Sequence, residues 1–160
     1  MHTKSPILLA AILASGLCAA GTAAAQEQPG QIGVGAYIGT PFGFSAKYLI
    51  DRRNAVDAAF GVQDGDLDMH LDFLTHFRDM SHQPPQGRLA PYLGLGLKVK
   101  DEPDALFGIR FLGGLSYAFP KAPLEAFAEI APVLRMAPSL GSGVDGGVGL
   151  RYYFGPAKPR

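Results

Sequence analysis

The 160-residue chain has no tryptophan and a single cysteine, Cys18. It has no excess charge either, since 14 Lys+Arg meet 14 Asp+Glu. That balance removes the cationic surplus that neutralises phosphates, so no nucleic-acid partner is expected. Charged residues are scarce at 18% of the chain, against about 25% in ordinary soluble domains. Beyond the first 25 residues no run of 18 consecutive apolar residues occurs, which excludes an ordinary transmembrane helix. Helical periodicity is poor, because glycine, 21 residues in all, punctuates nearly every segment. The chain is nonetheless too rich in aliphatic and aromatic residues to be disordered.

The first residues read as an export leader. Lys4 supplies a positive start, Ile7 to Leu17 an apolar run too short to span a bilayer, and Ala23-Ala24-Ala25 the small residues a signal peptidase reads. Residues 1–25 are therefore expected to be a signal peptide cleaved after Ala25. Leu17 stands before Cys18 where lipidation would want a small residue. The exported chain then holds no cysteine, so disulfides and thiolate metal sites are excluded and stability must come from elsewhere.

From Gln26 onward the dominant signal is alternation with period two, the pattern of strands with two unlike faces. It predicts eight strands: Gln31 to Gly39, Phe42 to Ile50, Ala55 to Val62, Leu67 to Phe77, Leu89 to Val99, Leu106 to Phe119, Leu124 to Arg135 and Val144 to Phe154. Short turn-rich links join most of them, such as Gln63-Asp64-Gly65-Asp66 and Pro120-Lys121-Ala122-Pro123. Arg78 to Gly87 is the longest link. Pro91 and Pro132 fall inside two strands, where each removes a ladder donor. The domain expected is a barrel over residues 26–154, with a short tail at 155–160.

One face of every strand is apolar. The other mixes glycine and small residues with Lys47, Asp57, Asp68, Asp72, Lys98, Arg110, Glu125, Glu129, Arg135, Asp145 and Arg151. A water-soluble barrel turns its apolar face inward, whereas an outer-membrane barrel turns it to lipid. Three features favour the second arrangement. Glycine on the charged face leaves room for long side chains in a narrow eight-stranded interior. Six acids and five bases on that face nearly balance, as an enclosed polar core requires. Phe42, Tyr48, Phe77, Tyr117, Phe119, Tyr152 and Phe154 lie near strand ends, like the aromatic girdles at bilayer interfaces. The fold expected is an all-β, eight-stranded antiparallel up-and-down transmembrane barrel whose eleven charged side chains form a lumen network.

The leader, the eight strands and the closing Val148-Gly149-Leu150-Arg151-Tyr152-Tyr153-Phe154 resemble the small OmpA-like outer-membrane barrels. More narrowly, Leu71 to Phe77, Phe107-Gly108-Ile109-Arg110 and Ala122 to Pro132 are similar to the BAPKO-type outer-membrane barrel family. The resemblance covers residues 31–154. It implies the outer membrane of a Gram-negative-type bacterium, with membrane lipid and lipopolysaccharide as surroundings. It also implies the barrel-assembly machinery as a partner in biogenesis, reading a terminal signal at Tyr152 and Phe154. This chain departs from that pattern by continuing past Phe154 to Arg160. With both termini periplasmic, the long Arg78 to Gly87 link falls on the periplasmic side, where such barrels usually have short turns.

Chemistry is harder to find. Asp68, His70, Asp72 and His76 share one strand face and offer imidazole and carboxylate ligands to a metal. Spacing along one strand spreads them widely, so membership of the lumen ion-pair network is the reading favoured. Glu125 and Glu129, four residues apart, stand about 13 Å from each other on a strand, too far for paired acid–base work. Ser45, Ser116, Ser139 and Ser142, with His70, His76 and His82, form no recognisable Ser/His/acid motif for a lipid A-modifying enzyme. The glycine runs Gly33–Gly35, Gly94–Gly96 and Gly146–Gly149 lack the strand-to-helix context of phosphate loops. No catalysis, cofactor or metal is expected. The leading function is a structural or interaction role in the envelope; a small pore, a hydrophobic-ligand carrier and a lipid A-modifying enzyme are the alternatives.

Overall fold

Strict alternation of large apolar residues with small or ionic ones forces each segment into a strand with two unlike faces. The structure, a computed structural model, describes residues 28–80, 82–101 and 103–155. The expected signal peptide and tail residues 156–160 lie outside the described residues. Eight strands follow in order: β1 (Ile32–Gly39), β2 (Phe42–Leu49), β3 (Asn54–Gln63), β4 (Asp66–His76), β5 (Arg88–Lys100), β6 (Leu106–Ala118), β7 (Leu124–Ala137) and β8 (Gly141–Phe154). Each pairs antiparallel with its neighbours in sequence. β1 closes on β8 from Ile32 opposite Phe154 to Gly39 opposite Gly147, making a closed barrel.

Closure removes every sheet edge, so the ladders satisfy the backbone without a partner chain. Both Pro91 and Pro132 stay within their strands. Opposite Pro132 the pairing of β6 with β7 lapses between Arg110–Val133 and Gly113–Ile130, where the missing N–H would have been. The two-residue turn from β3 to β4 places both Asp64 (φ 55°) and Gly65 (φ 94°) in the left-handed region, as a tight hairpin of this type requires. β8 begins three residues earlier than expected, because Gly141-Ser142-Gly143 shows no alternation to read.

The ends of the barrel differ. The links 50–53, 77–87 and 119–123 lie at the end that carries Gln28 and Gly155. The links 40–41, 64–65, 101–105 and 138–140 lie at the other. The long link after β4 thus sits with the termini, as the count of eight strands demanded.

The apolar face points outward. Val34, Phe44, Leu71, Phe73, Leu95, Phe111, Ile130 and Val148 are all exposed, and every strand contributes to this belt. The lumen side is buried and polar. Four lumen rings lie against glycines, where a Cβ would collide with them: Tyr37 at Gly147, Tyr92 at Gly114, Phe127 at Gly149 and Tyr153 at Gly33. Glycine on the inner face is therefore the space that these aromatics fill.

Candidate functional site

Ten of the eleven ionic side chains expected in the lumen fall into two clusters stacked along it. The first, nearer the termini, centres on Arg151 of β8. Its Nη2 donates to both carboxylate oxygens of Asp57, at 2.8 and 2.7 Å. Nη1 donates to Glu125 Oε1 at 3.0 Å and Nε to Ser45 Oγ at 2.7 Å. The guanidinium also stacks on Phe127, 3.6 Å from the ring centroid. Lys47 Nζ and the Tyr153 hydroxyl donate to Glu125 Oε2, at 2.8 and 3.1 Å.

Lys47 Nζ also lies 3.0 Å from His76 Nε2. An ammonium group has only donors, so His76 Nε2 accepts. The ring proton then sits on Nδ1, 3.0 Å from the Arg53 carbonyl, to which it donates. Two carboxylates, Asp57 and Glu125, here meet two bases, Lys47 and Arg151, and a neutral histidine. The cluster is balanced.

The second cluster centres on Arg110 of β6, which is wholly buried. Its Nη1 lies 2.7 Å from Asp145 Oδ2, Nη2 3.3 Å from Glu129 Oε1 and Nε 3.3 Å from Asp72 Oδ1. Tyr37 and Tyr92 hydroxyls donate to the two oxygens of Glu129, at 3.1 and 2.9 Å. Lys98 Nζ holds Asp145 and Asp68, each at 2.7 Å, and donates to Gln63 Oε1 at 3.0 Å. His70 lies between, its Nε2 3.5 Å from Asp72 Oδ2 and its ring edge-on to Tyr37. Four carboxylates here meet two bases.

Glu125 and Glu129, too far apart along β7 to cooperate, indeed serve different clusters. Ser45, Ser116 and the buried histidines form no nucleophile–base pair: Ser116 Oγ donates to the Ala90 carbonyl and Ser45 accepts from Arg151.

Arg135 stands apart. It is half-buried opposite Gly141 at the mouth of the barrel, where β8 begins, and pairs with no carboxylate among the described residues. Lys100 was missed by sequence reasoning, which ended its strand at Val99. It is buried at the same mouth, with Nζ 3.6 Å from Asp64 and 3.5 Å from Asp66. Continued alternation from Lys98 is the signal that would have found it. Tyr152 and Phe154 point outward at the other end, their rings 4.8 Å apart, and the Tyr117–Phe119 pair, at 5.0 Å, lies at the same end across β7.

Fold and site together define a closed, eight-stranded antiparallel barrel that is apolar outside and ionic within. No protein-family model matches the chain, and no curated protein matches it in sequence. Among solved structures it is similar to the crystal structure of the N-terminal β-barrel domain of Pseudomonas aeruginosa OprF. The TM-score is 0.60 at 17% identity, over 80% of this chain and 100% of that one.

Proposed function

We propose that the protein is an integral outer-membrane barrel with a structural or interaction role in the envelope and no catalysis, a relative of the BAPKO-type barrels. The observation that carries this reading is the belt of exposed apolar side chains contributed by all eight strands around a buried ionic lumen. In water so much contiguous apolar surface is unfavourable, and soluble monomers rarely expose it. In a bilayer it faces acyl chains, and a closed barrel has no unpaired sheet edge there. Strands of 8 to 14 residues suit a tilted crossing. A shallow apolar groove between Leu71, Phe73, Leu95, Leu97 and Ile109 fits a lipid tail. On this reading the long 77–87 link is periplasmic, membrane lipid and lipopolysaccharide surround the belt, and the assembly machinery reads Tyr152 and Phe154.

The lumen favours a plug over a pore, because Lys47, Asp57, Arg110, Glu125 and Arg151 are each at most 1% exposed. Membrane fractionation tests the location: the protein stays with outer membranes until detergent is added, and its recovery in the soluble periplasmic fraction would overturn the reading. Planar bilayers test the plug. Steady conductance altered by Arg110→Ala would make it a pore. Changed lipid A mass in a deletion strain would make it an enzyme.

A further inference from the structure

The second lumen cluster is unfinished in two independent ways, and the first is not. Its charge does not close: Asp68, Asp72, Glu129 and Asp145 face Lys98 and Arg110. A buried carboxylate without a counter-charge is expensive, so an enclosed surplus of this size calls for cations. Its hydrogen bonding does not close either. His70 is 4% exposed, yet neither of its ring nitrogens meets a hydrogen-bond partner among the described residues. Asp72 Oδ2, at 3.5 Å from Nε2, likewise has none. Buried polar groups are otherwise paired almost without exception.

The two deficits coincide in space. One donor atom each from His70, Asp72 and Glu129 lies within 4.8 Å of the others, all three residues being buried. His70 and Asp72 are neighbours on one face of β4, and Glu129 reaches them from β7 across the lumen. Spacing along one strand could not reveal that third carboxylate.

We propose that His70, Asp72 and Glu129 bind one divalent transition-metal cation of the Zn2+ or Mn2+ type inside the barrel. One imidazole nitrogen with two carboxylate oxygens is a donor set for such borderline cations and a poor one for soft metals. Bonds of about 2.0 Å to a tetrahedral ion put its ligand atoms about 3.3 Å apart, so the 3.5 Å separation of His70 Nε2 and Asp72 Oδ2 is already near that spacing. Arg110, on the other oxygen of Asp72 and on Asp145, and the Tyr37 and Tyr92 hydroxyls on Glu129 position the carboxylates. A dication also brings four carboxylates and two bases to neutrality. The proposal concerns the lumen alone and does not depend on which membrane holds the barrel.

The test uses the untagged full chain folded from urea into detergent micelles with Zn2+ present, then desalted. Atomic emission counts the metal, and heat-modifiable gel migration checks the fold. One Zn2+ per folded chain is expected. Affinity should fall at least about tenfold in His70→Gln and in Asp72→Asn, and stay unchanged in His76→Gln and His82→Gln. Folded wild-type protein without stoichiometric metal would overturn the proposal, leaving protons to neutralise the cluster. Undiminished binding in folded His70→Gln would overturn it equally. Should His70→Gln fail to fold, Co2+ loaded into the wild type replaces that arm. The Tyr37 ring, whose centroid is 5.9 Å from that of His70, must then show paramagnetically shifted proton resonances. Unshifted Tyr37 signals would place the metal elsewhere and end the proposal.

Discussion

The two halves of the lumen are built from the same residue types and come out differently. Around Arg151, two acids meet two bases, and the guanidinium spends its three nitrogens on Asp57, Glu125 and Ser45. Around Arg110, four acids meet two bases, and both ring nitrogens of His70 and Oδ2 of Asp72 lack hydrogen-bond partners among the described residues. The first half is a finished structural core in which ions do the work that aliphatic side chains do in a soluble protein. The second has capacity to spare. Overall near-neutrality of the inner face conceals this, because the surplus is a matter of which wall each charge reaches.

The largest effect should come from breaking the balanced half. Arg151→Ala strands Asp57 and Glu125, both at most 1% exposed, without their shared base. We expect a loss of about 3–5 kcal/mol in urea unfolding from liposomes. A loss below about 1 kcal/mol would be that of a solvent-exposed pair and would remove Arg151 from the core. Next comes Gly149→Val, which drives a side chain into the Phe127 ring on which Arg151 stacks. Overpacking of this kind costs about 1–3 kcal/mol. Gly113→Val, whose added Cβ meets Leu93 at an ordinary 3.5 Å, is the control that should fold normally in the same assay.

Much of this architecture was legible in the sequence. Phe44-Ser45-Ala46-Lys47-Tyr48 shows the apolar and polar faces in five residues, and the same alternation recurs in eight segments. Asp64-Gly65 marked a hairpin because those residues tolerate the left-handed backbone a two-residue turn needs. Gly141 to Gly143 were lost because residues without distinct faces carry no period. Arg135 was placed in the network because its parity is correct. Depth along the barrel, which parity does not encode, puts it at the open mouth. For the same reason no spacing rule could join Glu129 on β7 to His70 and Asp72 on β4, since distance across a lumen depends on closure and stagger.

Asp72→Asn against Asp57→Asn gives the sharpest comparison of the halves. The substitutions are nearly isosteric and each removes one negative charge. In the balanced half, Asp57→Asn takes the partner from Arg151 and should cost several-fold more than its counterpart. In the acid-rich half, Asp72→Asn relieves like charge, so in metal-free protein its effect should lie within about 1 kcal/mol of zero, on the stabilising side if anywhere. Equal losses at the two positions would show that both halves are equally neutralised, and the contrast drawn between them would fall.

The smallest expected effect lies outside the lumen and calibrates the rest. In the link between β2 and β3, Asp51 Oδ1 accepts from the backbone N–H of Arg53 at 2.7 Å and of Asn54 at 2.8 Å, while Oδ2 accepts from Asn54 Nδ2 at 2.8 Å. The Asn54 side-chain hydrogen bond and then the two backbone bonds favour the charged form, so the carboxyl is held below its usual 3.8. A depressed folded-state value means that the stabilisation is present above 3.8 and lost as pH falls through the folded value. Asp51→Asn keeps one accepting oxygen and discards the charge. The urea midpoint of the variant should therefore lie slightly below that of the wild type at about pH 7, and the two should converge as pH falls through the folded-state value of Asp51. Outside the lumen, the turn responds to proton concentration through one exposed carboxylate. A difference that widened as pH fell would reverse the sign, and would mean that the neutral rather than the charged form of Asp51 holds the turn.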